Sequence, residues 1–369
     1  MPAIATVPDR LALSVIVPAR NEEASLRGCL ESLIAQVGVD FEIIVVDDHS
    51  TDSTPAIASS FSNSRTQAQA RVPRQTKVRL IQADPLPAGW TGKNNAVAAG
   101  SKAARGEWLL FTDADTIHLP GSLAHSLQEA QRLNVALLSY SPQQVVDSFW
   151  EKAIMPVIFA ELASSFRPSE VSDPKSPLAA ANGQYILITR QAYVSVGGHA
   201  AIAASLLEDV ALARAVKRSG RKIFFRYAPD AVRTRMYRSF AQLREGWTKN
   251  LALLFPSPVR LAALRALEFV LIVASFAISL ASSLRGHPRP ATVAGILCVT
   301  LYVFFLARIR RAHFFWDANI LSLFGLPLFS YLLLRSAKAH ANGSVPWKGR
   351  TYQDEPCLPA EDNAQLKAG

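Results

Sequence analysis

The amino-acid sequence predicts a doubly wound α/β domain followed by C-terminal transmembrane helices. Two runs, residues 41–48 and 108–115, are short, rich in β-branched and aromatic residues and bounded by polar ones, which reads as buried strands of a parallel sheet. Helical stretches follow such strands in turn, and βαβα alternation implies right-handed crossovers. The third observation is an apolar excess confined to residues 266–334 of a 369-residue chain.

The first strand is Leu13-Ser-Val-Ile-Val-Pro18, and Asn21 is placed to cap the helix after it. The second strand ends at Asp48, and Ser50-Thr-Asp-Ser-Thr54 opens the next helix. Residues 62–77 are polar, basic and almost without apolar anchors, the composition of a mobile surface loop. A third strand over 78–82, a loop over 86–95, a helix over 96–104 and the strand ending at Asp113 complete the series.

Residues 148–166 hold Phe149, Trp150, Ile154, Met155 and Phe159 around Pro156. The stretch is too short to span and suits either an interfacial helix with an aromatic edge or an ordinary buried one. Residues 266–284 and 291–307 are long enough to cross a bilayer, while 320–334, interrupted by Gly325 and Pro327, reads as a third span or a re-entrant hairpin. These divisions give a catalytic domain over 1–255, membrane segments over 256–340 and a tail over 341–369, disordered after Tyr352.

Charge then orients the chain. Arg308, Arg310 and Arg311 belong on the cytoplasmic side, and two preceding spans put the N-terminal domain there as well. The expected location is the inner (plasma) membrane, multi-pass. Arg335, Lys338, Lys348 and Arg350 prefer the same side, which favours the hairpin for the third segment. The formal charge of +10 does not point to nucleic acid, because the cations lie near the membrane segments with no aromatic-interleaved basic patch. Residues 1–13 lack the apolar core of a signal peptide. Cys29, Cys298 and Cys357 match no metal or redox spacing and read as reduced packing residues.

Both strand ends carry paired acids, and ligands of open α/β sheets bind outside those ends. Asp113 and Asp115 are two apart and suit a hard cation, Mg2+ or Mn2+, which binds through one or two carboxylates plus substrate phosphates. Of Asp47 and Asp48, one caps the Ser50–Thr54 turn and the other accepts hydrogen bonds from a nucleobase or ribose. Glu208 and Asp209 open an amphipathic helix, where acids complement the macrodipole; beside two other acid sites, a carboxylate there is a candidate general base. Arg235, Arg244 and Trp247 place cations and aromatics just before the first span, suited to phosphate or to lipid headgroups.

In order, Val17-Pro-Ala-Arg-Asn-Glu-Glu23, Val45-Val-Asp-Asp-His-Ser-Thr-Asp-Ser-Thr54, Gly89-Trp-Thr-Gly-Lys93, Thr112-Asp-Ala-Asp115 and Leu207-Glu-Asp209 resemble the family 2 glycosyltransferases of GT-A fold. The resemblance covers roughly residues 12–255, and the spans with Trp347-Lys-Gly-Arg-Thr-Tyr352 look like the membrane subgroup linked to carotenoid and hopanoid glycosylation. It implies that Pro18, Arg20 and Glu22 line the nucleotide pocket and that Asp48 or Asp47 meets the base. Lys93 would approach the nucleotide or its phosphates, Asp113 the nucleotide-sugar, Asp115 the metal, and Asp209 would be the catalytic base. Gln242-Leu-Arg-Glu-Gly-Trp247 departs from the Gln-x-x-Arg-Trp motif of polymerising members, which argues against a processive synthase.

The resulting expectation is inverting transfer from a nucleotide-diphosphate sugar to a membrane lipid. A metal-dependent nucleotidyltransferase, which would release pyrophosphate, and a non-catalytic membrane scaffold are the alternatives.

Overall fold

The structure, a computed structural model, describes residues 11–63 and 78–352, and the chain forms two compact units: 1–145 with 163–236, and 146–162 with 237–369.

In the first unit β1 (Leu13–Ala19), α1 (Leu26–Ile34), β2 (Phe41–Asp47), α2 (Thr54–Asn63), β3 (Val78–Gln82), α3 (Gly92–Ala103) and β4 (Trp108–Phe111) realise the expected alternation. Every residue of β2 is buried, as a strand covered on both faces requires. β5 (Thr116–His118), α4 (Ser122–Leu133), β6 (Leu137–Ser141) and β7 (Gln143–Gln144) follow. α5 (Phe149–Ser165) carries the chain into the second unit and back. Then come α6 (Pro168–Ser172), β8 (Ile186–Thr189), α7 (Arg190–Ser195), α8 (Glu208–Arg218), β9 (Ile223–Tyr227) and β10 (Val232–Thr234).

The main sheet has the order β3-β2-β1-β4-β8-β6-β9. It is mixed rather than parallel throughout, because β8 runs antiparallel to both β4 and β6. A second sheet, β5-β10-β7, stands beyond the carboxyl end of β4. The β1–β2 register pairs Ala19 with Asp47, so the residues just past each strand, Arg20 and Asp48, emerge side by side.

Asn21 does not cap α1. It sits in the left-handed region (φ 54°), its amide donating to Ser50 Oγ at 3.0 Å and its Oδ1 accepting from the Thr51 amide at 2.8 Å, so it ties two loops together. Of the polar stretch over 62–77, Ser62 and Asn63 end α2; the remainder lies outside the described residues, as do Cys357 and the tail after Tyr352. Cys29 is buried, and burial first, then Asp115 and Asp113 nearby, pushes its thiol far above the ordinary range, consistent with an inert packing residue.

In the second unit α5 is buried over most of its length, from Ala153 through Ile158 and at Ala160 and Glu161. Only its first turn shows an aromatic edge, with Phe149 48% and Trp150 44% exposed. α9 (Phe240–Leu254), α10 (Pro258–Leu284), α11 (Pro288–Ile309), α12 (Trp316–Leu321) and α13 (Gly325–Ala341) follow, and the antiparallel pair β11 (Val345–Trp347) and β12 (Arg350–Tyr352) closes the described chain. The stretches 258–284, 288–312 and 316–341 are each long and apolar enough to cross a membrane.

Arg308 is separated from its neighbours in sequence. It lies 2.8 Å from Glu268 and 3.6 Å from Glu161, while Arg265 lies 3.0 Å from each of the same two acids. Four alternating charges thus balance one another among α5, α10 and α11.

Candidate active site

The carboxyl ends of β1 and β2 form the first half of the site. Arg20 Nη1 donates to the carbonyls of Asp48 (2.6 Å) and His49 (3.3 Å), and the Asp48 amide donates to the carbonyl of Ala19 (2.8 Å). The Glu22 amide donates to Thr54 Oγ1 at 2.8 Å, and Glu23 accepts from the Ser53 amide at 3.1 Å. The loop that carries Arg20 and Glu22 is therefore laced to the loop after Asp48.

Asp47 accepts from the Ser50 amide (3.3 and 3.4 Å) and is the turn cap, while Asp48 lies just past the end of the strand. A cleft of about 350 Å³ opens at the ends of β2 and β3, lined by Asp47, His49, Ser50, Pro55 and Gln82 among others.

The second half is assembled by α3 and α8. Thr91 caps α3 by accepting from the Asn94 amide at 3.2 Å. The buried Asn94 then donates its side-chain amide to the carbonyls of Ile202 (2.9 Å), Ala203 (2.9 Å) and Ser205 (3.1 Å). That clamp holds the segment leading into α8 against the start of α3. In consequence Lys93 Nζ lies 2.7 Å from Asp113 Oδ1 and 2.7 Å from Glu208 Oε1. Burial opposes the charge of Lys93, but Asp113 and Glu208 outweigh it and hold the ammonium well above its ordinary range.

Asp209 completes the group. Its Oδ2 accepts from the Gly183 amide at 3.0 Å and its Oδ1 from the Val210 amide at 2.8 Å. Burial first, and the neighbouring Glu208 second, raise its carboxyl to about 6, with Lys93 pulling the other way. A Cβ at Gly183 would stand 3.1 Å from Lys93 Nζ, 3.4 Å from Glu208 Oε1 and 3.5 Å from Asp209 Oδ2. Three charged side chains from two helices, α3 and α8, therefore converge on a position without a side chain.

A polar web supports the turn that carries Asp113 and Asp115. Thr112 Oγ1 donates to the Gln184 carbonyl (2.9 Å) and lies 3.1 Å from His118 Nε2. Gln184 Nε2 donates to Thr234 Oγ1 (3.2 Å), which donates to the Asp115 carbonyl (3.2 Å). His118 is buried, which lowers its pKa to about 3 and keeps the ring neutral. Arg235 follows Thr234 directly, at the edge of this web.

Lys93, Asp113, Glu208 and Asp209 are thus brought together, and Pro18, Arg20, Glu22 and Asp48 share the neighbouring strand ends. Lys93, expected at the nucleotide or its phosphates, pairs with Asp113 and Glu208. Arg244 and Trp247 belong to α9 in the second unit, where Trp247 packs edge-on against Phe159 and Tyr237. Sequence reasoning missed Gly183, Gln184, Thr234 and Asn94; only Asn94 left a signal, a polar residue directly after the Gly-Trp-Thr-Gly-Lys loop.

The mixed sheet, with acids grouped at its carboxyl edge, has the glycosyltransferase architecture of GT-A type. Residues 14–193 match the family model for glycosyl transferase family 2, so that stretch carries a domain of that family. The chain is 29% identical over 355 residues to the 4,4'-diaponeurosporenoate glycosyltransferase of Staphylococcus aureus strain USA300, covering 92% of this chain and 88% of that one. The counterpart from strain MRSA252 is 28% identical over the same coverage. Among solved structures, a mannosyltransferase from Pyrobaculum calidifontis in complex with GDP-Man and Mn2+ superposes with a TM-score of 0.53, at 16% identity over 89% of this chain and 87% of that chain, a likeness of fold.

Proposed function

We propose that this glycosyltransferase is inverting and moves a sugar from a nucleotide-diphosphate donor to a membrane lipid of carotenoid, hopanoid or polyprenyl type. The observation that carries the reading is the grouping of Lys93, Asp113, Glu208 and Asp209 beside Gly183, close to the strand ends where such donors bind. The carotenoid-type acceptor in the name of the staphylococcal relative supports the lipid assignment.

Pro18, Arg20, Glu22 and Asp48 bind the nucleotide, and Asp113 contacts the nucleotide-sugar. The acceptor oxygen attacks the anomeric carbon as the bond from that carbon to the diphosphate breaks, and where that oxygen belongs to a hydroxyl Asp209 takes its proton. A carboxyl raised to about 6 is ionised at neutral pH yet basic enough for that task. Lys93 forms ion pairs with Asp113 and Glu208 and so holds the two acids together. Arg235, Arg244 and Trp247 are assigned to the acceptor and the departing diphosphate.

Asp113 and Asp115, two carboxylates two positions apart, fit a hard cation that takes one or two carboxylates and completes its shell from phosphate. Asp115 would hold Mg2+ or Mn2+, which when bound supplies charge neutralisation of the diphosphate. The enzyme works at the inner membrane with its catalytic domain cytoplasmic.

The test is reconstitution with nucleotide-sugars and extracted lipid. Release of a nucleoside diphosphate with a glycosylated lipid is expected; release of pyrophosphate would assign a nucleotidyltransferase instead. Lipids of a deletion strain should accumulate the unglycosylated acceptor.

A further inference from the structure

We infer that α10 and α11 alone cross the bilayer, and that α12–α13 lies along its surface as an interfacial foot contacting anionic lipid headgroups. The inference rests on reading α10 and α11 as spans and is independent of the sugar-transfer chemistry.

The decisive contacts join chain that precedes the first span to chain that follows the third apolar segment. The Lys348 amide donates to Glu245 Oε1 at 2.8 Å, His340 Nε2 lies 2.8 Å from the Lys249 carbonyl, and the Lys249 ammonium stands 5.4 Å from the Trp347 ring centre. Glu245 and Lys249 are on α9, before α10 begins. Three crossings would put residues 245 and 348 on opposite sides of roughly 30 Å of hydrocarbon. An even number of crossings is required.

The partners of α13 show which helix stays out. Gly325 approaches the backbone of Ala153 so closely that a Cβ would collide with it. Phe329 meets Phe255 at 6.2 Å, Ser330 Oγ donates to the Ala262 carbonyl (2.9 Å), and Ser336 Oγ donates to that of Thr248 (2.6 Å). All of these lie at or before the first turns of α10. By contrast α10 and α11 are joined at both ends, by Ser279 with the Ala291 carbonyl (2.8 Å) and by Glu268 with Arg308 (2.8 Å).

The free face of α12–α13 has the chemistry of a lipid contact. Phe315, Trp316, Ile320, Phe324, Tyr331 and Leu334 are 45–75% exposed, while Ala318, Leu326, Phe329 and Leu333 on the other face are buried. The turn before it, continuous with the end of α11, presents Arg310 and Arg311 exposed and, among the described residues, without an acidic partner. Arg308, close before them, is neutralised internally. Cations of this kind beside exposed tryptophan and phenylalanine match an anionic headgroup layer.

The test uses the full chain with tags at both termini, expressed in its host membrane and probed in right-side-out and inverted vesicles. Both tags are expected on one side; tags on opposite sides overturn the inference. Purified protein is then placed in nanodiscs containing brominated phosphatidylglycerol or brominated phosphatidylcholine. The emission lost in Trp316→Phe should be quenched more strongly by the anionic lipid. Arg310→Gln with Arg311→Gln should remove that preference, roughly fivefold per arginine. Equal quenching by both lipids, no quenching of Trp316, or a preference that survives the double substitution each overturns the headgroup contact.

Discussion

Lys93 Nζ stands 2.7 Å from Glu208 Oε1, so the first turn of α3 and the first turn of α8 are matched in charge. A cation near a helix N-terminus opposes the macrodipole, and here Asp113 past β4 and Glu208 of α8 offset the cost. Lys93→Met removes the cation paired with these two acids. The Asp209 carboxyl then rises above about 6, and the acid limb of the kcat/KM profile moves to higher pH, whereas Lys93→Arg keeps the limb near its original position. A profile unmoved by Lys93→Met would show that the lysine does not tune the base.

The pH dependence of the native enzyme has a definite sign. The working form of Asp209 is the carboxylate, and burial with Glu208 raises its pKa to about 6, so kcat/KM should fall as pH drops through that value and level off above it. Asp209→Asn should abolish this limb and lower kcat by about 10²–10⁴. A carboxylate acceptor, already ionised, would leave turnover in Asp209→Asn nearly intact.

Gly183→Ala introduces a methyl 3.1 Å from Lys93 Nζ and 3.4 Å from Glu208 Oε1. The flexible lysine tip can yield, so unfolding should change little. Displaced charges near the base should nonetheless cost on the order of tenfold to a hundredfold in kcat. Circular dichroism melting beside steady-state kinetics separates the two effects.

His118 makes the first unit acid-sensitive. Its pKa is lowered by burial to about 3, against an ordinary value of 6.5, so the unfolded chain binds a proton that the folded one does not. Stability should therefore be full above 6.5 and be lost progressively as pH falls towards 3. Denaturant midpoints measured from about pH 7 to about pH 4 should show that slope, and His118→Gln should flatten it.

The strand ends were legible because an apolar run that stops abruptly at a pair of acids has the pattern of a buried strand meeting solvent at its carboxyl end. Strand direction was not: Ile186-Leu-Ile-Thr189 has the composition of any buried strand, and nothing local shows that β8 inserts antiparallel between β4 and β6. Which of Asp47 and Asp48 caps the turn became clear only once the Ser50 amide had a position. The ion pairs of Lys93 were not legible, because Asp113 and Glu208 are distant from it in sequence. Residues 316–341 carried a similar ambiguity, since apolar content alone does not distinguish a helix surrounded by lipid from one resting partly on protein.

The three carbonyls gripped by Asn94 set an order of events in the cell. The stretch from 202 to 205 cannot be captured until the ribosome has delivered it, long after α3 is complete. A nascent chain can therefore form the ends of β1 and β2 before α8 exists to meet α3. The grouping of Lys93 with Glu208 and Asp209 waits until residues 202–205 have been made, shortly before the long apolar helices that follow α9.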